Sequence, residues 1–177
     1  VKGFWEVARF DGLVILALGW LGSSREEIQV AIEGWLDSWC ANNPANSGVQ
    51  WKCAQETGLR ILQTLMVTDL LRRIGGVEPT EALGELVAHH CERIVPTLQY
   101  AIGQENNHGT SEAAALFVGG SFLIRQRVPR FQLRARSWQK LGRRWLENRI
   151  RHLVLRDGSF SQHSTNYHRL MLDTYCL

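Results

Sequence analysis

Apolar residues recur every three to four positions along nearly the whole chain, the spacing of one buried face of an α-helix. A first helix is predicted from about Phe4 to Trp20, with Val7, Phe10, Val14, Leu18 and Leu21 on its stripe. Ser23-Ser24 ahead of Arg25-Glu26-Glu27 supplies a cap and first-turn acids for a second helix. That helix carries Ile28, Ile32, Trp35, Leu36 and Trp39 and ends at Asn42-Asn43-Pro44. After a polar loop, a long helix is predicted from roughly Trp51 to Ile74, stopped by Gly75-Gly76. Thr80-Glu81 opens another, interrupted or kinked near Pro96. Gly103 to Gly109 reads as a polar break before a small-residue helix, Ser111 to Ile124. An Arg-rich helix follows from about Phe131 to Leu155, then an Asp157-Gly158 turn and a last helix from near Thr165.

Runs of alternating Val, Ile and Thr bounded by turn dipeptides are nearly absent, so the chain is predicted to be all-α. Two-helix units stacked side by side can curve into a solenoid or close into a ring, and periodicity does not choose between them. At 177 residues, 45% of them apolar, residues 1–177 form one domain large enough for its own core. The apolar stretch Leu13 to Leu21 is too short to span a membrane. Val1-Lys2-Gly3 lacks an initiator Met and a signal-peptide layout, and the C-terminus stops inside a helical pattern. Both ends are therefore expected to be cuts through a longer polypeptide.

The net charge is only +3, but Arg125, Arg127, Arg130, Arg134, Arg136, Lys140, Arg143, Arg144, Arg149, Arg151 and Arg156 crowd one region. They form either a solvated outer face or a surface for an anionic polymer. Cys40, Cys53, Cys91 and Cys176 are scattered without a C-x-x-C pair and read as buried thiols. No metal is expected: His89 and His90 are adjacent on a helix and point apart, and no paired ligand spacing supports zinc.

Three polar clusters can carry chemistry. Gln104-Glu105-Asn106-Asn107-His108 sits at a helix junction, where it either caps helix ends or offers amide donors and an imidazole to a charged substrate. Asp157 to His168 is a turn, a polar loop and a helix start. Within it Tyr167 heads a stripe with Leu170, Met171 and Thr174 and is either a core tyrosine or a proton carrier. In Gly48-Val49-Gln50-Trp51, Trp51 is core or a platform for a sugar ring; Glu56 and Arg60, four apart, suggest a helix-surface ion pair.

Together these clusters resemble the heparinase II/III-like polysaccharide lyases. Trp5-Glu6-Val7-Ala8-Arg9 looks like the family's W-E-x-[SA]-R opening. Trp39, Asn43-Pro44, Gly48, Trp51, Glu56 and Arg60 follow its W…NP…G-x-x-W…E-x-x-x-R run. Asn106-Asn107-His108 with Glu112-Ala113-Ala114 is similar to N-N-H-x-x-x-E-A-A. Asp157-Gly158, Gln162, Ser164, Tyr167-His168 and Leu172-Asp173 look like D-G-x-x-x-E-x-S-x-x-Y-H…LD, except that Gln162-His163 stands where the family has Glu-Gln.

The resemblance implies an incomplete (α/α) toroid, followed in the whole protein by a β-sandwich domain that is absent here and contributes to the site. It implies β-elimination at a uronic acid of an acidic polysaccharide, with Asn107 and His108 neutralising the carboxylate and Tyr167 as proton donor or acceptor. Asn106, Trp51, Glu56, Arg60, Glu112, His163 and His168 are the expected substrate contacts. No cofactor is expected in this segment, a structural metal being left to the absent domain, and a periplasmic or secreted location is implied. A hydrolase would need two carboxylates flanking the bond, and no matched pair is evident among Glu105, Glu112 and Asp157. The rival reading is a non-catalytic helical-repeat scaffold that binds a glycan or protein. A nucleic-acid binder is disfavoured because no binding motif accompanies the arginines.

Overall fold

The structure, a computed structural model, describes residues 3, 5, 8–19 and 24–176. Phe4, Glu6, Val7, Trp20, Leu21 and Ser23, which the sequence placed in or beside the first helix, lie outside the described residues. We number the helices α1 (Asp11–Leu18), α2 (Arg25–Asn42), α3 (Ala54–Gly75), α4 (Glu81–Ile94), α5 (Leu98–Gly103), α6 (Asn107–Arg125), α7 (Gln132–Leu153) and α8 (Thr165–Cys176). Short 3-10 turns at Val49–Trp51, Val95–Thr97 and Pro129–Phe131 precede α3, α5 and α7. Among the described residues the sole β feature is an isolated antiparallel bridge between Val154 and Phe160.

Local chemistry explains most boundaries. Ser24 caps α2 in a capping box with Glu27, and the Thr80 side chain accepts from Leu83 N–H to start α4. Gly76, with φ 60°, ends α3 in the left-handed conformation that a residue with Cβ avoids. Phe10 itself is left-handed at φ 71°, so the first predicted helix breaks there and α1 begins at Asp11. Pro96 falls in the 3-10 turn that separates α4 from α5.

Helix α6 organises the fold. It packs against α3, α4, α5, α7 and α8, and meets the first four at small residues, Ala115, Gly119, Gly109 and Gly120 respectively. The main core joins Ile61 and Leu65 of α3, Val87, Cys91 and Ile94 of α4, Leu98 of α5, Leu116 and Leu123 of α6, and Trp138 of α7. A second core places Phe10, Leu13 and Ala17 against Ile28, Ile32, Val67 and Leu71, so α3 is shared between the two. A third, small core of Leu153, Phe160 and Met171 anchors α8. Of the cysteines, Cys91 is buried as expected, whereas Cys40 and Cys176 are exposed thiols.

The α6–α7 pair makes the closest approach. A Cβ at Gly120 would stand 2.7 Å from Ala135 O, and one at Gly142 would press on the Phe117 backbone and lie 2.5 Å from Ala113 O. Neither neighbour is a flexible side-chain tip, so the helices themselves would have to separate. Gly142→Ala is therefore expected to lower unfolding free energy by about 2–3 kcal/mol, read from urea denaturation. Gly34 of α2 has open space around it. Gly34→Ala should raise stability by roughly 0.5–1 kcal/mol, and equal effects at the two sites would refute the packing argument.

Candidate functional site

The turn before α6 is held by a buried arginine. Arg149, reaching across from α7, donates from Nη1 to Ile102 O at 3.2 Å and to Glu105 Oε1 at 3.0 Å. Glu105 adopts φ 53°, and Asn106 then caps the helix with Oδ1 accepting from His108 N–H at 2.9 Å. The cap moves the helix start forward: Asn107 and His108, expected within a polar break up to Gly109, form the first turn of α6. Asn107 is buried and its N–H donates to Gln162 Oε1 at 2.9 Å.

That bond brings the second cluster to the first. The loop carrying Gln162 is folded by Ser161 N–H to Leu153 O at 2.7 Å, Leu155 N–H to Ser159 O at 2.8 Å and Asp157 Oδ1 accepting from Ser159. Phe160 buries into the third core beneath it. Helix α8 follows, with Tyr167 in its first turn. The expectation that Tyr167 begins a buried stripe needs correction, because it is 41% exposed. It shares the helical face of Met171 and Thr174, but the small core around Met171 does not extend to it. His163 is exposed and His168 half-buried.

The third cluster departs further from expectation. Glu56 does not pair with Arg60; its carboxylate takes two hydrogen bonds from Arg9, both at 2.6 Å. Arg60, one turn on, is 0% exposed. It donates to Gln50 O at 2.7 Å, Thr57 Oγ1 at 3.2 Å and His90 Nε2 at 3.2 Å, and lies over the Trp39 and Trp51 rings at 5.2 and 5.7 Å. Since a guanidinium only donates, His90 Nε2 accepts, and its Nδ1–H donates to Leu86 O at 2.8 Å. Burial and the adjacent cation push His90 down to about 3, and burial pulls Arg60 down to about 10. Trp51 is likewise buried, its ring tilted against His90 with centroids 4.5 Å apart and its indole N–H donating to Asn43 O. Trp51 and Arg60 thus back the wall from inside instead of presenting a face to solvent.

Glu112, expected at the substrate, also lies beneath the surface, 2% exposed. Its Oε1 is 4.0 Å from His108 Nδ1, one turn away on α6, and its Oε2 has no hydrogen-bond partner among the described residues. Gly58 of α3 packs over it, a Cβ there standing 3.7 Å from Glu112 Cα. Burial raises the Glu112 carboxyl to about 8, against the opposing charge of Arg93. Burial also lowers His108, with Glu56 opposing. Near neutral pH the pair is an uncharged carboxylic acid beside an uncharged imidazole.

The motif pieces, far apart in sequence, are thus tied together. Trp5 Nε1–H donates to Val49 O at 2.8 Å, Arg9 grips Glu56, Gly58 meets α6 beside Glu112, and Gln162 meets Asn107. The heparinase II/III N-terminus family profile matches residues 5–176. The chain belongs to that family. No curated protein and no solved structure matches it.

Within this heparinase II/III N-terminal domain, sequence reasoning missed Arg9, Arg93 and Arg149 as organisers. Arg93 holds the Val49–Trp51 turn by donating to Trp51 O and Lys52 O, each at 2.6 Å. The arginine cluster divides: Arg149 is internal, whereas Arg130 and Arg134 pair with Glu85 and Glu92 and Arg143 with Glu147 at the surface. Among the described residues, no group of three or more His, Cys, Asp or Glu could hold a metal ion, and no helix is long and apolar enough to cross a membrane.

The buried acid has a consequence for stability. Between its ordinary value near 4.5 and about 8, folded Glu112 keeps a proton that the unfolded chain has released. Stability from this group is therefore complete below the lower value and lost as pH rises through the window. His108 acts oppositely, below its ordinary 6.5, where the unfolded chain takes up a proton that the fold resists. Urea midpoints of the wild type are expected to decline between about pH 6.5 and 8, and Glu112→Gln should flatten that decline. An identical slope in both proteins would show that Glu112 titrates normally.

Proposed function

We propose that this domain forms the catalytic wall of a lyase that cleaves a uronic-acid-containing anionic polysaccharide by β-elimination. The observation that carries the reading is the Asn107–Gln162 hydrogen bond, which joins the Asn106-Asn107-His108 turn to the loop leading into Tyr167. Membership of a family of polysaccharide lyases supplies the reaction class.

The difficulty of the reaction lies at C5 of the uronate. Its proton must leave while the adjacent carboxylate already carries negative charge. Donors aimed at that carboxylate offset the charge, each worth roughly 3–4 kcal/mol in a site shielded from water. Of the two expected donors, His108 is partly exposed and offers an imidazole that burial keeps neutral, whereas Asn107, only 3% exposed, secures the first turn of α6 from beneath. A base takes the C5 proton, the C4–O bond breaks as a C4=C5 double bond forms, and an acid protonates the departing oxygen. Tyr167, exposed in the first turn of α8, is the proton carrier in this scheme. Asn106 sets the turn, Glu56 with Arg9 shapes the neighbouring wall, and His163 and His168 stand on the same loop and helix as Tyr167. Trp51, Arg60 and Glu112 act from behind this surface.

The same reading places the helices in an incomplete (α/α) toroid, with a β-sandwich domain of the full polypeptide completing the cleft and a periplasmic or extracellular site of action. No cofactor enters the scheme.

The test is to incubate the full-length polypeptide with alginate, heparan sulfate and hyaluronan and to follow ultraviolet absorbance of the unsaturated uronate product. His108→Ala and Tyr167→Phe are each expected to reduce kcat by about 10²–10³-fold, the loss typical of one such group. If no uronate polymer yields unsaturated product, the lyase reading fails and a non-catalytic glycan-binding scaffold replaces it.

A further inference from the structure

Glu112 is a buried ionisable group to which the scheme above assigns no proton or substrate contact. It sits one turn below His108 on α6, where residues four apart face the same way. Its Oε1 stands 4.0 Å from His108 Nδ1, and Oε2 has no partner among the described residues. The side chain is sealed from substrate by its burial and by α3 packing at Gly58. A carboxyl so placed cannot touch a polysaccharide, but it can act on the imidazole.

We propose that Glu112 is a positioning residue that donates a hydrogen bond from its buried carboxylic acid to Nδ1 of His108, holding the ring proton on Nε2. The inference rests on the lyase reading for its purpose, since an Nε2–H is what a substrate carboxylate requires. The alternative arrangement is the reverse. An ionised Glu112 would accept from Nδ1–H, and Nε2 would then carry a lone pair that repels a carboxylate. One proton on Glu112 therefore chooses between a donor and an acceptor at the opposite ring nitrogen. The 4.0 Å separation is longer than a formed hydrogen bond, so one of the two side chains must rotate to form it. The charged groups acting on the pair are Glu56 from α3, which faces His108, and Arg93 from α4, which faces Glu112. Cys53, just ahead of α3, also feels the Glu112 charge, and its own thiol is raised chiefly by burial. The direction of the Glu112 shift, toward the protonated form, agrees with the donor role.

The experiment is ¹⁵N NMR of histidine-labelled protein without substrate, with His108 assigned from the spectrum that His108→Gln lacks. At pH 7 the wild type is expected to show an Nε2-protonated ring, moving toward the Nδ1-protonated form as pH rises past about 8. Glu112→Gln, whose amide still donates, should hold the Nε2–H form through that range. Glu112→Ala should lose the preference; should that variant fold poorly, Glu112→Gln alone still reports through its missing alkaline transition. An Nδ1–H ring in the wild type at pH 7, or identical tautomer behaviour in wild type and Glu112→Gln, overturns the proposal. Because no substrate is present, these outcomes are independent of turnover: a tautomer switch without lyase activity sustains the Glu112–His108 pairing and removes only the lyase reading. Where activity is found, Glu112→Gln should shift the alkaline limb of the kcat profile upward, which a merely structural role would not do.

Discussion

Two helices reach backbone-to-backbone contact only where no Cβ intervenes, and α6 meets α7 under that condition at two places. Gly120 faces the Ala135–Gln139 turn, and Gly142 faces the Ala113–Phe117 turn, so the pair runs antiparallel and is fixed at two points near the middle of α6. On its other sides α6 presents Gly109 to Ile102 of α5, Ala115 to Gly58 of α3, and Gly119 to Cys91 of α4. A larger residue at any of these points would push a neighbour outward. The position of the first turn of α6, and of Asn107 and His108 on it, is inherited from this confinement. A side chain on a rigid, fully packed helix is held more tightly than one on a loop, which is what electrostatic preorganisation requires.

The confinement also explains why charged residues are found inside. Arg60 and Glu112 are both buried, yet their environments differ in kind. Arg60 has one atom, Nη1, without a partner among the described residues, but its three acceptors and two indole faces keep it a cation with reduced proton affinity. Glu112 has one distant imidazole and an oxygen without a partner, and so is held in the neutral form. Glu56 is a third case, a buried carboxylate compensated by the bidentate fork of Arg9. Three ionisable groups within two neighbouring helices thus occupy three electrostatic states, each set by the partners that packing supplies.

Much of this was legible in the sequence. Helix spacing, the Ser24 and Thr80 caps, the Gly76 stop and the Pro96 interruption are local signals, and the structure follows them. What escaped was non-local. Glu56 and Arg60 have the spacing of a surface ion pair, but their true partners, Arg9 and His90, lie 47 and 30 residues away. Tyr167 has the periodicity of a core residue, and only the limited extent of the Met171 core leaves it exposed. Asn107 and His108 read as loop because their residue types favour loops. The cap at Asn106, with Arg149 bracing the turn behind it, lets the helix begin under them.

The departure at Gln162 can be read in the same physical terms. The N-terminal end of α6 carries the positive pole of the helix, and its first two amides are already occupied, Asn107 N–H by Gln162 and His108 N–H by Asn106. A glutamate at position 162, as in the family motif, could accept the same bond but would neutralise the pole with a full negative charge. Glutamine accepts the bond and leaves the pole uncompensated. With Glu112 and His108 also uncharged near neutral pH, the carboxylates that remain near this end, Glu105 and Glu56, are each engaged by an arginine, Arg149 and Arg9. Because the nearest amides are taken, the lyase scheme proposed above relies on the partly exposed His108 side chain, not on the helix backbone, to meet a substrate carboxylate there. In that scheme the field of the helix attracts the carboxylate and the imidazole supplies the hydrogen bond.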